Sequence, residues 1–482
     1  MRIIRAFVFI AIASSFRPAL AAERPGPRER FDARIVALVG HPGGLTAERV
    51  AERATATSLE LESQRQNVLV ADTAVHQAFI AFFPRLSGVA SFARESDLPA
   101  ASLGILAAPL PGATPYKPIP EGQPLLAVPL TLASPDEQTI FRADLTIPIS
   151  DYILRLAQGY DAAKRSREAA ALDEKATALR VQTDARVAYY AWVGAELQRV
   201  VAQAALEQAD ERLTDIRPAF EVGTASKADV LRFESQKASA ELLVEQTENA
   251  VHVQMERLRV VMHDPEGTTY EIGESFPDAF PEIRGLGSAG QVFAAAAGRR
   301  IELRSLETQR EAVDSQRQAS RAGWFPRIDG VAEALDANPN PRVFPPSQAF
   351  NATWSVGVQA TWTVNDTFNA IESSRALQAR EAAVDAQRRA MLDGLRNEVF
   401  QAVEDVHQTR VALKTSARGL EASEESYRVR SELFQNGRAI ATELTDAEAD
   451  LTRARLESLN ARVNVRLAQV RFEHAAGLDV NQ

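Results

Sequence analysis

The sequence predicts a mainly helical protein with a small β-structured part, built from two similar halves. Only 7% of the 482 residues are aromatic, and Ala, Leu, Val, Glu, Arg and Gln are prominent, a composition typical of long helices. Two sequence segments recur later in the chain in the same order. Short stretches of alternating polar and apolar residues between the helical stretches predict strands.

The amino-terminal segment has the features of a secretory signal peptide. Arg2 and Arg5 precede an apolar run from Ala6 to Ala13, and Ala19–Ala21 forms the small-x-small pattern that signal peptidase recognises. We therefore expect residues 1–21 to be removed from an exported protein. An ordinary amino-terminal tail is the alternative.

The chain is acidic, which bears on its partners. Its formal net charge is -10, and loss of Arg2, Arg5 and Arg17 with the signal peptide, which holds no acidic residue, would make it -13. An acidic surface argues against nucleic acid as a partner.

The sequence offers little chemistry for a cofactor, a metal ion or a reaction. It has no Cys, which excludes disulfides and thiolate metal sites. The six His residues lack the spacing of metal ligands, and no nucleophile elbow, phosphate-binding glycine loop or zinc helix motif occurs. We expect no cofactor and no enzymatic activity, and these missing motifs disfavour a secreted hydrolase.

The duplication appears as two pairs of matching segments. Phe83–Ala90 (FPRLSGVA) recurs as Phe325–Ala332 (FPRIDGVA), and Phe220–Gly223 is matched by Phe434–Gly437. Within each half we expect a helix, a short strand, a loop, a second strand, a very long helix, a tight turn and a final helix.

The predicted domain organisation follows from this duplication. A stretch that contains Pro and Gly separates the halves and is typical of a linker. The predicted boundaries are 1–21 for the signal peptide, 22–262 for the first repeat, 263–290 for the linker, 291–477 for the second repeat and 478–482 for a C-terminal tail.

The second strand of each half shows the clearest alternation. Apolar and polar residues alternate strictly from Trp354 to Val364, and Phe141–Ile149 places its apolar residues on one face. Both segments have roughly the 9–11 residues that a tilted strand needs to cross a bilayer. The first strands, Arg85–Arg94 and Arg327–Asp336, alternate less cleanly, and a soluble half-buried sheet is the alternative.

Any membrane crossing is expected to use these strands. No stretch after the signal peptide approaches the roughly 18–20 apolar residues that a spanning helix needs. The residues expected to face lipid are Trp354, Val356, Val358, Trp362, Phe141, Leu145 and Ile147. Asp329 and Glu333 would then face a lumen, and the strand connections, long from Ser96 to Gln138 and short from Ala337 to Ala349, would face outside.

Stretches without proline predict very long helices. A helix from Asp366 to Gln435 would measure roughly 105 Å at 1.5 Å per residue, and it must pack against partners along its length. The last segment has an apolar seam that comprises Leu456, Leu459, Val463, Leu467 and Val470. An ordinary helical bundle or a dimeric coiled coil is the alternative to a helical wall. Pro218 is expected to kink or end the helix before the first turn.

This order of elements, over nearly the whole mature chain, resembles the outer-membrane efflux protein family (TolC-like outer membrane factors). The resemblance rests on the duplicated halves, their strand pairs, the long helices and the Gly turns together. It implies a homotrimer in which each copy contributes four strands to one twelve-stranded transmembrane β-barrel, which continues into a periplasmic α-helical coiled-coil tunnel. The implied location is the outer membrane, with an extension into the periplasm.

The resemblance also implies a function and partners. Such a protein is the exit duct of a tripartite efflux or type I secretion system. It passively conducts substrates that a periplasmic adaptor (membrane fusion) protein and an inner-membrane transporter hand over. The substrate (drug, metal or protein) and the particular pump and adaptor stay open. A pore-less periplasmic coiled-coil scaffold is the rival function.

Aligning the turns with the family implies the site residues. The adaptor-docking tips comprise Val222, Gly223, Thr224, Asn436, Gly437 and Arg438. Glu443 and Asp446 correspond to the acidic constriction of the periplasmic gate, and Asp229 corresponds to a residue that helps latch the closed tip. A solvated helix face is the alternative for the acids.

Some details depart from the family pattern. The family often has Asp-Gly-Gly after each second strand, whereas Tyr152 follows Asp151 and Thr367 follows Asp366 in this chain. We therefore expect the starts of the long helices to differ from those of other family members. Pro218, beside the first tip, puts adaptor docking there in question.

Overall fold

A computed structural model gives the fold of the chain. It describes residues 27–94, 96, 101–109, 122, 125–132, 136–276, 280–344 and 347–479. The predicted signal peptide, residues 1–21, and residues 480–482 of the predicted C-terminal tail lie outside the described residues.

Both halves contain helices, paired strands and a long helical hairpin in the predicted order. The first half contains α1 (Pro27–Leu38), α2 (Ala47–Thr57), α3 (Leu59–Ile80), β1 (Arg85–Arg94), β2 (Ala101–Pro109), β3 (Leu125–Leu132), β4 (Glu137–Ile147), α4 (Ile149–Asp151), a π-helical turn (Tyr152–Leu156), α5 (Ala157–Glu221) and α6 (Lys227–Met262). The second half contains α7 (Ala289–Arg299), α8 (Ile301–Ser320), a 3-10 turn (Arg321–Trp324), β5 (Arg327–Asn338), β6 (Asn351–Thr361), α9 (Val364–Gln435) and α10 (Ala441–Ala475). The predicted mainly helical fold with short strands is confirmed.

The longest helices coincide with the stretches that lack proline, with one exception. Helix α9 has 72 residues and α5 has 65. Pro218 was expected to kink or end the helix, and α5 continues through Pro218 to end three residues later, at Glu221. Pro218 lies in the last turn, where its missing N–H removes a single hydrogen bond, and its carbonyl still accepts from the N–H of Val222 (3.1 Å).

Four strands form one antiparallel sheet in the order β1-β4-β5-β6. Residues paired across neighbouring strands lie on the same face of a sheet. One row across the sheet comprises Leu86, Leu145, Ala332 and Val356, and the adjacent row comprises Ser87, Asp144, Glu333 and Ser355. One face is therefore mainly apolar and the other mainly polar. Asp336, near the loop end of β5, is an acidic exception on the apolar face.

Two strands lie a few residues earlier than the alternation predicted. The predicted segments were 141–149 and 354–364, whereas β4 is Glu137–Ile147 and β6 is Asn351–Thr361. Pairing limits β6, because its partner β5 begins only after Pro326, and the pair Arg327–Thr361 is the last of that ladder. Alternation in the sequence continues beyond this limit, but the hydrogen-bonded partner does not.

The long connection between β1 and β4 contains a second, small sheet that the sequence did not reveal. Strands β2 and β3 pair antiparallel within it, with Ile105 opposite Pro129. The Pro- and Gly-rich composition hid this hairpin, because a proline that lacks an N–H is tolerated in an edge strand. The sequence analysis expected a long loop here, and this hairpin lies within it.

The chain forms two compact units, each with its own packing. Among the described residues, the helical unit comprises those in 27–58, 181–286 and 402–473, and the strand unit comprises those in 59–180, 287–401 and 474–479. The largest core of the helical unit includes the fully buried Tyr189 and Trp192 together with Leu459, Val463 and Val470 of the predicted α10 seam. In the strand unit, Leu172 and Ala176 of α5 pack on Ile301 of α8. Within the described residues, no helix is sufficiently long and apolar to span a membrane.

Candidate gate at the helical turns

The long helix α5 ends in a turn that contains one glycine. The N–H of Gly223 donates to the carbonyl of Phe220 (3.0 Å), and the N–H of Thr224 donates to the carbonyl of Ala219 (2.8 Å). This pair of hydrogen bonds is a Schellman motif, in which a left-handed residue ends the helix and reverses the chain. Gly223 supplies that residue, with a φ of 81°.

The turn after α9 repeats these contacts. The N–H of Gly437 donates to the carbonyl of Phe434 (3.0 Å), and the N–H of Arg438 donates to the carbonyl of Leu433 (2.8 Å). Gly437 has a φ of 67°. The six residues expected to form the tips are all exposed, namely Val222, Gly223, Thr224, Asn436, Gly437 and Arg438.

The predicted latch residue Asp229 caps the helix that follows the first turn. Its Oδ2 accepts from the backbone N–H (3.1 Å) and the hydroxyl (2.7 Å) of Ser226. The backbone N–H of Asp229 donates in return to the Ser226 hydroxyl (3.2 Å). These contacts form a capping box at the start of α6. The carboxylate of Asp229 therefore already has partners in this conformation.

The predicted constriction acids Glu443 and Asp446 lie together on the exposed face of α10. Residues three apart share a helix face, so the two carboxylates project from the same side. Glu443 is 49% exposed and lies 3.8 Å from the guanidinium of Arg430 on α9. An ion pair this exposed is screened by water and stabilises little. Both acids are accessible from one side of the helix.

The two helical hairpins pack against each other beside the turns. Their contact is a buried cluster from α5, α6, α9 and α10 that comprises Leu213, Ile216, Phe233, Tyr427, Ala441, Leu444, Ala447 and Leu451. The rings of Phe233 and Phe434 meet edge to face with centroids 6.0 Å apart. A groove of about 640 Å³ between the hairpins is lined by Asp229, Phe434, Gly437 and Ile440 among others.

Charged and polar side chains that the sequence analysis missed lie inside this contact. We call Arg212 of α5, Tyr427 and Ser431 of α9, and Glu448 of α10 the Arg212 cluster. Arg212 donates from Nε to Glu448 Oε1 (3.2 Å) and from Nη2 to Tyr427 Oη (3.0 Å) and Ser431 Oγ (2.8 Å). The side chains of Arg212 and Glu448 are only 13% and 5% exposed. The cluster thus joins three helices through one buried cation.

Glu448 is electrostatically the most unusual member of the cluster. Burial raises the pKa of Glu448 to about 7, and the charge and hydrogen bond of Arg212 counter this rise only in part. Desolvation of a carboxylate favours its neutral form. Glu448 therefore titrates near neutral pH, unlike an exposed glutamate.

One sequence signal did point to Glu448. Leu444, Ala447 and Leu451 follow the helical spacing of a buried face, and Glu448 falls within that face. An acid in an apolar stripe requires a partner. Arg212, Tyr427 and Ser431 come from distant parts of the chain, so their convergence is visible only in the folded structure.

The residues expected to face lipid lie mostly on the apolar face of the sheet. Trp354, Val356 and Val358 are 77%, 72% and 73% exposed in the chain, and Phe141 is 50% exposed. Leu145 and Ile147 share this face through their pairing with Ala332 and Gly330, and they are half-buried.

Trp362 departs from the prediction that it is a strand residue. It lies one residue beyond β6, and its indole N–H donates to the hydroxyl of Thr367 in α9 (3.2 Å). The part of the chain that the structure describes contains no group of three or more His, Cys, Asp or Glu side chains arranged to hold a metal ion.

Comparison with known proteins gives a sequence match and structural matches. Residues 292–478 match the family model described as outer membrane efflux protein. The outer-membrane channel OprN aligns with a TM-score of 0.71 at 18% identity, over 92% of this chain and 95% of its own. The CmeC outer membrane channel of Campylobacter jejuni aligns with a TM-score of 0.72 at 14% identity, over 99% and 93%.

A third solved structure, the open state of the MtrE outer membrane channel of Neisseria gonorrhoeae, aligns with a TM-score of 0.67 at 16% identity, over 89% of this chain and 88% of its own. A search of curated protein sequences found no match. At these identities the structural likeness shows the fold. Together with the family match, it confirms the resemblance inferred from the sequence.

Proposed function

We propose, from the premise that this chain is similar to outer membrane efflux proteins in the sequence of residues 292–478 and in fold, that it is an outer-membrane exit duct. Three copies would form a channel that passively conducts substrates from a periplasmic adaptor and an inner-membrane pump to the outside. The observation that carries this proposal is the four-stranded sheet, with one mainly apolar and one mainly polar face.

The faces of the sheet fit a position between lipid and water. Val356 lies in an apolar row and is 72% exposed, although exposing large apolar side chains to water is unfavourable. The adjacent row places Asp144, Glu333 and Ser355 on the other face. Strands of membrane barrels alternate in this way, with apolar residues toward lipid and polar residues toward the lumen.

The edges of the sheet support closure with further copies. A sheet of four strands is too small to surround a pore, and β1 and β6 are its two edges. Because successive strands are antiparallel, β1 and β6 run in opposite directions. The β6 edge of one copy can therefore pair antiparallel with the β1 edge of the next, which gives twelve strands for three copies, the number implied by the family resemblance.

The helical turns are the proposed periplasmic end. Exposed tips at Val222–Thr224 and Asn436–Arg438 would dock the adaptor, and both offer the same Schellman backbone. Glu443 and Asp446 would form the constriction, where threefold repetition brings like charges together and favours cations. Asp229 would contribute to the latch through its second carboxylate oxygen, because both contacts from Ser226 go to Oδ2.

The proposed organisation of the chain retains the boundaries predicted from sequence. Residues 1–21 are the proposed signal peptide, 22–262 and 291–477 the two repeats, 263–290 the linker and 478–482 the tail. Export across the inner membrane would bring the mature chain to the periplasm, from which it inserts into outer-membrane lipid.

A substitution pair on β6 tests the membrane role. Val356→Lys puts a charge on the apolar face, which costs about 2–4 kcal/mol at the bilayer midplane, whereas Ser355→Lys puts the same charge on the polar face. We expect Val356→Lys to reduce the amount of protein in carbonate-washed outer membranes and Ser355→Lys to leave it near wild type. Equal behaviour of the two variants would contradict the assignment of the faces.

Measurements on the purified mature protein test the duct itself. We expect a mass of three copies in detergent and discrete ion conductance in planar bilayers. Protein that washes off membranes with carbonate, remains monomeric and conducts no ions would instead identify the pore-less scaffold.

A further inference from the structure

The hydrogen bonds and the ion pair of the Arg212 cluster form in one arrangement of the three helices α5, α9 and α10. Arg212 contacts Glu448, Tyr427 and Ser431, and its Nη1 also lies 3.6 Å from Asp215 Oδ2. Apolar residues of similar volume would hold such a contact equally well, whereas removal of one partner from a buried ion pair leaves an uncompensated charge. Displacement of α10 alone would remove Glu448 from its only buried cation in the cluster and expose it to water.

Helix α10 connects this cluster to the proposed constriction. Asp446 and Glu448 are two residues apart, which places them roughly 200° apart around a helix with 3.6 residues per turn. Asp446 accordingly lies on the exposed face with Glu443, and Glu448 lies on the buried face with Leu444 and Leu451. Any rotation or shift of this rigid segment moves both sets of carboxylates together.

We propose that the Arg212 cluster is an internal latch that holds α10 against α5 and α9, and thereby positions Glu443 and Asp446 in the closed gate, with the protonation of Glu448 regulating release. This inference rests on the proposed function. Arg212 and Glu448 are positioning residues, since they act on the constriction through α10.

The direction of the pH effect follows from the surroundings of Glu448. The charged group that contacts Glu448 is Arg212 of α5, and Arg212 in turn contacts Asp215 of α5 and Tyr427 of α9, while α6 contributes the apolar Phe233 to the surrounding cluster. Burial outweighs the attraction of Arg212 and raises the pKa of Glu448 to about 7 from an ordinary value of 4.5.

Release of α10 would expose Glu448 to water, and the pKa of Glu448 would then fall toward its ordinary value. The latched state therefore binds the proton more tightly than the released state. Acidification from about 7 toward about 4.5 favours the latched state, and this advantage is lost as the pH rises through about 7. The effect is bounded at about tenfold in the released-to-latched ratio per pH unit for each copy, the limit for one proton.

Planar-bilayer recordings of the assembled channel test this latch. Glu443→Gln with Asp446→Asn serves as the background, because it removes the titration of the constriction itself. In that background we expect the open fraction to fall as the pH is lowered from about 8 to about 5. Adding Glu448→Gln, which keeps the shape but cannot ionise, should abolish this dependence and hold the open fraction near its acid value. Glu425→Gln, an exposed glutamate paired with Arg428 on α9, is the matched control and should retain the pH profile.

Arg212→Met provides an independent readout. It leaves Glu448 buried without its cation, so we expect more open channels at pH 8 than in wild type. Acid should restore closure, with the midpoint shifted to higher pH, because neutral Glu448 needs no cation. Loss of packing alone would not be rescued by acid.

The outcomes separate this inference from the proposed function. Absence of any pore in the wild type would remove both. A conducting trimer whose pH profile is the same with and without Glu448→Gln would overturn the latch and leave the duct standing. If Arg212→Met fails to assemble, the Glu448→Gln comparison decides the question.

Discussion

The first helical hairpin, α5 and α6, and the second, α9 and α10, share a backbone turn but differ in their charges. Both turns close with the same two hydrogen bonds around Gly223 and Gly437. After the first turn, the carboxylate of Asp229 is taken up by the helix cap. After the second turn, Glu443 and Asp446 are exposed.

Their buried sides are complementary. The first hairpin contributes the cation Arg212, and the second contributes the carboxylate Glu448. The two halves thus share the turn geometry, which depends on two backbone hydrogen bonds and a positive φ, whereas the side chains around the turns differ. The exposed acids therefore belong to the second hairpin and the helix-capping acid belongs to the first. The contact between the hairpins depends on the ion pair between Arg212 and Glu448.

We expect the largest loss of stability from a substitution that disrupts the contact between the two hairpins. Arg212→Ala removes one partner of a buried ion pair and, at a pH well above 7 where Glu448 is charged, should destabilise the protein by about 3–5 kcal/mol. Arg217→Ala, in the same helix, removes an exposed pair with Glu234 and should cost at most about 1 kcal/mol. Thermal unfolding of the detergent-solubilised protein measures both, and similar losses for the two variants would contradict the role of burial.

A second prediction tests whether the turns are equivalent. Alanine at Gly223 or Gly437 must adopt a positive φ, which costs about 1–2 kcal/mol, and we expect nearly equal decreases in Tm. Gly419→Ala, inside α9 where nothing lies within 4 Å of the added methyl group, should instead stabilise by about 0.5–1 kcal/mol. A decrease in Tm for only one of the two variants would show that the other turn tolerates a different backbone conformation.

A third prediction separates the acids of the two hairpins. Asp229→Ala removes a capping box and should lower stability by about 0.5–2 kcal/mol, with little effect on ion selectivity. Glu443→Ala with Asp446→Ala should leave stability nearly unchanged and reduce cation selectivity severalfold in planar bilayers. The reverse pattern would move the constriction to the first hairpin.

The smallest effect is expected at Pro218. Glu432 lies at the matching position before the second turn, five residues before its Gly as Pro218 is before Gly223. Pro218→Ala restores one hydrogen-bond donor in the last turn but relaxes the unfolded chain, so we expect a change in unfolding free energy within about 1 kcal/mol. A gain of about 3 kcal/mol, the cost of proline in a helix interior, would show that Pro218 strains α5.

Much of the fold was predictable because the signals are local. Alternation located the second strands, and the absence of proline located α5 and α9. The strand ends were missed where pairing, rather than composition, set the limit, as at Thr361. The β2–β3 hairpin was missed because its prolines are typical of loops, and its pairing partner is what makes it a strand pair.

Four features can be read from the sequence, because each depends on residues close together in the chain: the duplication, the long helices, the Gly turns and the position of Glu443 and Asp446 on one helix face. Two other features are visible only in the folded chain, namely the hydrogen bonds between Asp229 and Ser226 in the helix cap and the contacts of Arg212 with Glu448, Tyr427 and Ser431. Burial and long-range convergence set the electrostatics of that cluster. Neither is encoded in the spacing of any single segment.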